Sequence, residues 1–446
     1  MHHHKIRRIR LRNSTAAFLR SDSDEWELLP LDENPVYGFL LLTDTLLNQM
    51  GHEEFFIYYE KISGSDLIFK GMLAIFSRDL GPAIAGLRVN AYDTEEDMVE
   101  DALMISRTLA RKASITGLDF GGGQFIVDHD RPQEFSLGNH CIFPLLEHIG
   151  KIIDGFGGRV ILSPDLNTSV NNMHIVRRCT EHVIGNPGDD IFVPVESGRE
   201  EQGVVNGSGD SADLAAFSVF QSLKQAFCFL DNDSDADLSG RKLLVIGLGK
   251  CGMSLIDYLI QEGADIYGAD IDPSACRVME EVYGVKILAR DRQKMREIYK
   301  FPCDAILPCA TGSLISDKRI AGFQTRVICG SASNQLNDDR DAVFLHERNI
   351  LFVPDFIANC GGLLNVVQEV RISPEGPVYR EKYDENDVKE RVYRMQDVLK
   401  DILIYSGQEG LSPWELSLAT AQSRLESQRK IRWIRYFNRK INGDNC

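Results

Sequence analysis

Apolar and polar positions fall into distinct patterns along the chain. Phe55-Phe-Ile-Tyr-Tyr59 and the run from Leu67 to Phe76 read as two strands, separated by the turn Ser63-Gly-Ser65. Thr94-Glu-Glu-Asp then opens a helical pattern over residues 94–111, with its acids in the first turn. The cluster Gly117-Leu-Asp-Phe-Gly121-Gly-Gly-Gln124 is too glycine-dense for a helix interior. Helical spacing returns over 143–156, followed by a strand at 159–162 and a loop at 163–168. After Gly240, strands at 242–246, 265–269, 305–307, 327–329 and 350–353 alternate with helical stretches, which predicts a parallel, doubly wound sheet. A connector at 231–239, rich in Asp, Asn and Ser, leads into it. Beyond Arg371 the pattern is helical and charged, broken at 407–413. The first fifty residues hold an apolar run, 37–47, but no recognisable chemistry, and there is no internal repeat.

Composition narrows the class. A length of 446 residues suits two or three domains, and 43% hydrophobic with 26% charged residues is ordinary for a soluble globular chain. A formal charge of −17 argues against nucleic acid or an anionic membrane as partner. The basic stretch from Lys5 to Arg12 is the local exception, and a solvated or frayed terminus is the favoured reading. No stretch approaches the roughly 18 uninterrupted apolar residues of a membrane span. The basic start leads into polar Asn13 to Thr15 rather than a signal-peptide core. The 10 cysteines lie singly without a C-x-x-C pair, which fits reduced thiols in a cytoplasmic protein and no metal site.

The sharpest chemical signal is Lys242-Leu-Leu-Val-Ile246 followed by Gly247-Leu-Gly249-Lys-Cys-Gly252 and a helical pattern at 253–262. The first glycine permits a tight turn, the second lets the backbone approach a pyrophosphate, and the third brings helix and strand together. The helix N-terminus then faces the phosphates. A second apolar run ends at Asp270, where a carboxylate would accept hydrogen bonds from an adenosine ribose. This strand–turn–helix–strand context predicts a dinucleotide site.

Further stretches resemble the glutamate/leucine/phenylalanine/valine dehydrogenase family, and within it the leucine and phenylalanine dehydrogenase branch. They are Leu80-Gly-Pro-Ala-Ile-Ala-Gly-Leu-Arg88, Gly117-Leu-Asp-Phe-Gly-Gly-Gly123, Asp165, the Gly247–Asp270 fingerprint, Pro308-Cys-Ala-Thr-Gly-Ser313, Gly330-Ser-Ala-Ser-Asn-Gln335, and Pro354-Asp355 through Asn359-Cys-Gly361-Gly362 to Asn365. The resemblance spans about residues 54–432 and implies an α/β fold of two domains. An N-terminal α/β substrate domain and a Rossmann dinucleotide-binding domain are expected, with a cleft between them. The expected boundaries are an extension of unknown role at 1–50, a substrate and oligomerisation domain at 51–205, an NAD-binding domain at 206–370, and C-terminal helices at 371–446 packing back across both.

The resemblance also implies hydride exchange between NAD and an amino acid or its 2-oxo acid, in a homo-oligomer. It puts Lys112 at the family's carboxylate-binding lysine and Asp165 at its catalytic aspartate. It assigns the cofactor to Gly247, Gly249, Lys250, Cys251, Gly252, Asp270, Ile271, Ala310, Thr311, Ala332, Asn334 and Asn359. The side-chain pocket falls to Ile84, Ala85, Gly86, Leu363 and Val366, with the glycines letting substrate lie against the backbone. Leu363 stands where a smaller valine is usual.

The departures are informative. The family's second lysine, which polarises the carbonyl and activates water, is here Gln124, an amide that cannot titrate. Ala215 replaces a threonine that helps hold the nicotinamide amide. Pro164 replaces Glu, and Asn171-Asn172 replace paired acids. Three functions follow: an amino-acid dehydrogenase with atypical chemistry, a related enzyme that has turned to condensation or imine reduction, and a silent NAD-binding paralogue. His346-Glu347 and Asp128-His-Asp130 read as a structural helix and a polar loop rather than metal sites.

Overall fold

The computed structural model describes residues 8–12, 16–20, 26–28, 50–62, 68–136, 140–185, 207–310, 314–373, 376–379 and 383–441. The chain divides into two compact units, residues 1–210 with 366–383 and 424–446, and residues 211–365 with 384–423. The apolar run at 37–47 and the turn at 63–65 lie outside the described residues.

The first unit is built on an eight-stranded sheet in the order β3-β2-β1-β4-β5-β7-β6-β8. Its strands are β1 (Arg8–Arg12), β2 (Ala16–Arg20), β3 (Trp26–Leu28), β4 (Glu54–Lys61), β5 (Ile68–Ser77), β6 (Ala83–Asn90), β7 (Gly121–Asp128) and β8 (Val160–Pro164). The basic stretch is therefore not a frayed end over its second half, because Arg8–Arg12 pairs antiparallel with β4. Alternation along β6 puts Ala83, Ala85, Leu87 and Val89 in one hydrophobic core, together with Phe125 and Val127 of β7. Ile84, Gly86 and Arg88 lie on the other face.

That other face carries α1 (Glu95–Ile115), capped by Thr94, whose side chain accepts from the Asp97 N–H. The helix runs four residues beyond the patterned stretch. It fits so closely because a methyl group at Gly122 would collide with Ser106 O and Ala110 N of α1, and one at Gly121 with Ser77 O. Gly122 thus serves helix-on-sheet packing, and Gly121 lets β7 lie against the end of β5. The helices α2 (Phe143–Asp154) and α3 (Val170–Arg177) flank β8 in the sequence. Asn172 closes a capping box at the start of α3, its side chain accepting from Ser169 N at 2.8 Å.

The second unit holds a six-stranded parallel sheet in the order β11-β10-β9-β12-β13-β14. Between α4 (Ala212–Asp231) and the sheet runs the polar connector; β9 (Lys242–Ile246), α5 (Lys250–Gln261) and β10 (Asp265–Ala269) follow. Next come α6 (Pro273–Tyr283), β11 (Lys286–Ala289), β12 (Ala305–Pro308), β13 (Val327–Ile328), α7 (Arg340–Glu347), β14 (Leu351–Phe352) and α8 (Cys360–Val366). Leu243 to Ile246 are wholly buried, each contributing about 1.5–3 kcal/mol. His346 lies in α7, as a structural helix requires.

The helical pattern expected beyond Arg371 begins only at Glu385, and its expected break at 407–413 falls between two helices. An antiparallel hairpin, β15 (Val370–Ser373) and β16 (Gly376–Tyr379), precedes α9 (Glu385–Glu409) and α10 (Pro413–Ile441). No described helix is long and apolar enough to cross a membrane.

Candidate active site

Parallel pairing aligns Gly86 of β6 with Gln124 of β7 and Ser163 of β8. Asp165 follows β8 directly, so three neighbouring strands bring Gly86, Gln124 and Asp165 together. Gly86 makes this possible: a methyl there would lie 2.9 Å from Gln124 Oε1 and 3.0 Å from Asp165 Cβ. The Asp165 turn is itself fastened, since Asp165 N donates to Thr168 Oγ1 at 2.9 Å and that hydroxyl donates to Leu87 O at 2.8 Å.

A residue not expected in the site supplies its cation. Arg88 Nε donates to Asp165 Oδ2 at 2.9 Å, and Gln124 Nε2 donates to the same oxygen at 3.0 Å. Arg88 Nη1 also pairs with Asp101 Oδ2 at 3.1 Å, and Tyr92 Oη donates to that carboxylate at 2.6 Å. Burial opposes ionisation of Asp165, but the Arg88 charge, its hydrogen bond and the Gln124 amide prevail and hold the carboxyl below its usual range. Burial and the Asp101 charge raise the Tyr92 phenol, which keeps its proton. Asp165 retains 30% side-chain exposure against 16% for Arg88, so the carboxylate is the open member of the pair.

Gln124 is fully buried. An ionised carboxylate only accepts, so the amide must turn its NH2 to Asp165. Its Oε1 then has no hydrogen-bond partner among the described residues. Lys112 is buried in the last turn of α1, two residues past the Ala110 contact with Gly122. The end of that helix is held from far along the chain: Arg424 Nη1 donates to Ser114 O at 3.0 Å and Leu118 O at 2.8 Å, and Nη2 pairs with Asp119 at 2.9 Å.

The expected pocket residues are split. Ile84 shares the Gly86 face, whereas Ala85 points into the hydrophobic core and cannot line the same surface; that expectation is corrected by strand alternation. Val366 lies with Pro164 around Gly185 (φ +78°) in the first unit, and buried Leu363 belongs to the second. Asp128 is engaged by Lys70 at 3.0 Å and by Tyr92 N–H at 3.2 Å, consistent with a polar loop.

In the second unit the dinucleotide fingerprint takes a form that fits a pyrophosphate. Gly247 has φ +101°, and a methyl there would lie 2.5 Å from Ala310 N, while one at Gly252 would collide with Gly247 O. Around Gly249, the N-cap of α5, nothing would meet a Cβ within 4 Å, as close approach of a phosphate requires. Asp270 is fixed at the end of β10, accepting from Leu248 N at 2.6 Å and Asp272 N at 2.8 Å.

A cavity of about 310 Å³ opens there, lined by Gly247, Asp270, Ile271 and Ala310 and also by Arg292, Met295, Tyr299, Leu314 and Arg319. It lies where the strand order reverses between β9 and β12, the usual ligand crevice of such sheets. The second group of lining residues follows the short strand β11 and carried no motif.

Of the other expected contacts, Lys250 opens α5 and Cys251 donates through Sγ to Ala212 O at 3.2 Å, a helix-packing contact. Asn359 Nδ2 donates to Ser331 O at 2.9 Å and to Ala332 O at 3.3 Å, and Asn334 takes φ +55° in the same loop. Asn359 Oδ1 is buried without a partner among the described residues. Ala215 lies on α4 beside Gly362. Thr311 lies outside the described residues.

Two family models match in chain order: "Glu/Leu/Phe/Val dehydrogenase, dimerisation domain" over residues 53–182 and "Glutamate/Leucine/Phenylalanine/Valine dehydrogenase" over 206–430. The chain is 28% identical over 387 residues to leucine dehydrogenase of Bacillus cereus, covering 85% of this chain and 95% of that one. It is 30% identical over 383 residues to valine dehydrogenase of Streptomyces virginiae, covering 86% and 94%. Among solved structures it resembles L-tryptophan dehydrogenase of Nostoc punctiforme, with TM-score 0.62, 25% identity, and 86% and 99% of the chains covered. With both models matched and the two sheets formed as described, the chain belongs to the glutamate/leucine/phenylalanine/valine dehydrogenase family.

Proposed function

We propose that this protein is an NAD-dependent oxidoreductase acting on an L-amino acid and its 2-oxo acid, with classical deamination slowed by Gln124. The observation that carries this reading is the Asp165 carboxylate, half open and held ionised by Arg88 and Gln124 beside Gly86. Lys112 anchors the ligand carboxylate through a charge-assisted contact. Asp165 holds the amino group and takes up or returns its proton. Ile84 and Val366 of the first unit border the side chain. The dinucleotide, held by the Gly247–Gly252 turn, Asp270 and Asn359, accepts or supplies the hydride. The substrate site falls within residues 51–205 and the dinucleotide site within 206–370. A homo-oligomer is supported by the match of residues 53–182 to a dimerisation domain.

Gln124 limits the classical reaction. It bears no charge, cannot titrate, and gives one amide N–H to Asp165 Oδ2, so it cannot polarise a carbonyl or activate water as a charged lysine would. That same feature favours a second reading, a related enzyme of this fold whose chemistry has moved to imine reduction or condensation. Incubating the pure protein with NAD and each L-amino acid at alkaline pH, while following NADH, tests the first. Slow NADH formation with one small or medium amino acid is expected, and Gln124→Lys should increase it. Absence of NADH with both proteins, while amino acids still bind, favours the second reading.

NAD is favoured over NADP because the Asp270 carboxylate would repel a 2′-phosphate. Arg319 is turned onto the Tyr299 ring, 4.9 Å from its centroid, and onto Leu314 O at 2.7 Å. Calorimetry with the two cofactors checks this; equal or tighter NADP binding contradicts it, and Arg292→Ala would then show whether that neighbour is responsible.

A further inference from the structure

The strand β4 opens the part of the chain that the family models match, which begins at residue 53, and β1, β2 and β3 lie ahead of it. On one side β4 is paired along its whole length, from Glu54 with Ile75 to Lys61 with Ile68 of β5. Its other side would be the edge of the sheet without the extension. Phe55-Phe-Ile-Tyr-Tyr59 is an apolar and aromatic run with no charge and no proline, and a bare edge of that kind pairs readily with another chain. A second copy fits it by construction, because an antiparallel strand pair about a two-fold axis brings the same segment of both copies together. In this protein the edge is closed from within. Arg8 to Arg12 of β1 pair antiparallel with Tyr58 to Glu54, β2 pairs with β1, and the three-residue β3 ends the sheet. So short a terminal strand leaves little edge to pair with. The far end is closed likewise: Leu162 of β8 bridges to Val183, with Leu162 N donating to His182 O at 2.9 Å.

We propose that β1, β2 and β3 form an edge cap, which pairs with β4 of its own chain and denies that strand to a second copy of the protein. This gives the N-terminal extension a role in assembly that is independent of the substrate. While β1 is seated, copies associate only through other surfaces. With β1 unseated, β4 becomes a self-complementary pairing edge. The cap can be loosened selectively, because β1 lies between β2 and β4 and consecutive N–H groups of a strand point to opposite sides. Prolines at Arg10 and Leu11 therefore remove one ladder bond toward each neighbour.

Sedimentation velocity on the full-length protein tests it. Arg10→Pro with Leu11→Pro should raise the particle mass at least twofold over the natural protein at equal concentration. Adding Ile57→Lys and Tyr59→Lys, which charge the less buried face of β4, should return the mass to the natural value. An unchanged mass in the proline variant, or a larger mass that the lysines do not reverse, overturns the proposal. So does a smaller mass, which would show β1 bridging two copies. Hydrogen exchange on the natural protein covers the case in which the proline variant does not fold. The β4 amides facing β1 should exchange roughly a hundredfold more slowly than in an unfolded chain, and at the same rate after tenfold dilution. Fast exchange there, or exchange that quickens on dilution, overturns the proposal equally.

Discussion

Arg88 Nε and Gln124 Nε2 converge on one oxygen of Asp165, at 2.9 and 3.0 Å, and Arg88 approaches from the strand beside Gln124. The positive charge next to the carboxylate thus comes from β6, not from the position after the triple glycine. It is held there by Asp101 on α1, so strand and helix share one charge network. The carboxylate keeps an ionised, fixed geometry even with a neutral residue at 124.

Removing the guanidinium should therefore shift the acid behaviour of the site. Asp165 lies below the usual carboxylate range because Arg88 and Gln124 outweigh the opposing effect of burial. Its favourable contribution is present above the unfolded value of about 3.9 and is lost as pH falls through the still lower folded value. In Arg88→Met burial is unopposed by that charge and the folded pKa rises, so ligand binding should decline at a higher pH than in the natural protein. Titrating ligand affinity from neutral to acid pH in both proteins checks the direction; coincident acid limbs would contradict it.

Gly86→Ala should wedge the site from within. The added methyl would press on Gln124 Oε1 and Asp165 Cβ at 2.9 and 3.0 Å, both inside normal contact. Overpacking of this kind costs about 1–3 kcal/mol, so the melting temperature should drop modestly. Amino-acid affinity should fall at least tenfold while dinucleotide affinity is kept. A variant that binds amino acids as before would show that these groups do not form the ligand site.

Arg424→Ala reaches the site through a helix end. Its guanidinium gathers the last carbonyls of α1 and the loop beyond, from Ala113 O to Asp119, and α1 carries Lys112. Losing these charge-assisted bonds should cost about 1.5–3 kcal/mol of stability. Hydrogen exchange should quicken at the C-terminal turn of α1, and carboxylate binding should weaken with it. Unchanged exchange there would mean that the helix end is held by other contacts.

The parts legible in the sequence were those that local chain geometry decides. The β9–α5–β10 segment and Asp270 fall where strand, glycine turn and helix were expected, because the signal is complete within thirty residues. Arg88 was missed as a site residue because its partner Asp165 lies 77 positions away and only strand pairing brings them together. Arg424 was missed for the same reason. Ala85 was misassigned because the two-residue alternation of β6 sends it to the core while Gly86 faces the site. The β15–β16 hairpin was hidden in a charged stretch, and half-exposed β11 gave too short an apolar run.

The central claim, that the first unit binds an amino or 2-oxo acid through Lys112, is tested most directly by Lys112→Ala. The ligand is the tightest-binding amino acid, measured by calorimetry alongside the dinucleotide. Loss of one charge-assisted contact of about 1.5–3 kcal/mol should weaken acid binding by roughly one to two orders of magnitude and leave dinucleotide affinity nearly unchanged. Acid affinity that survives the substitution intact would contradict the claim.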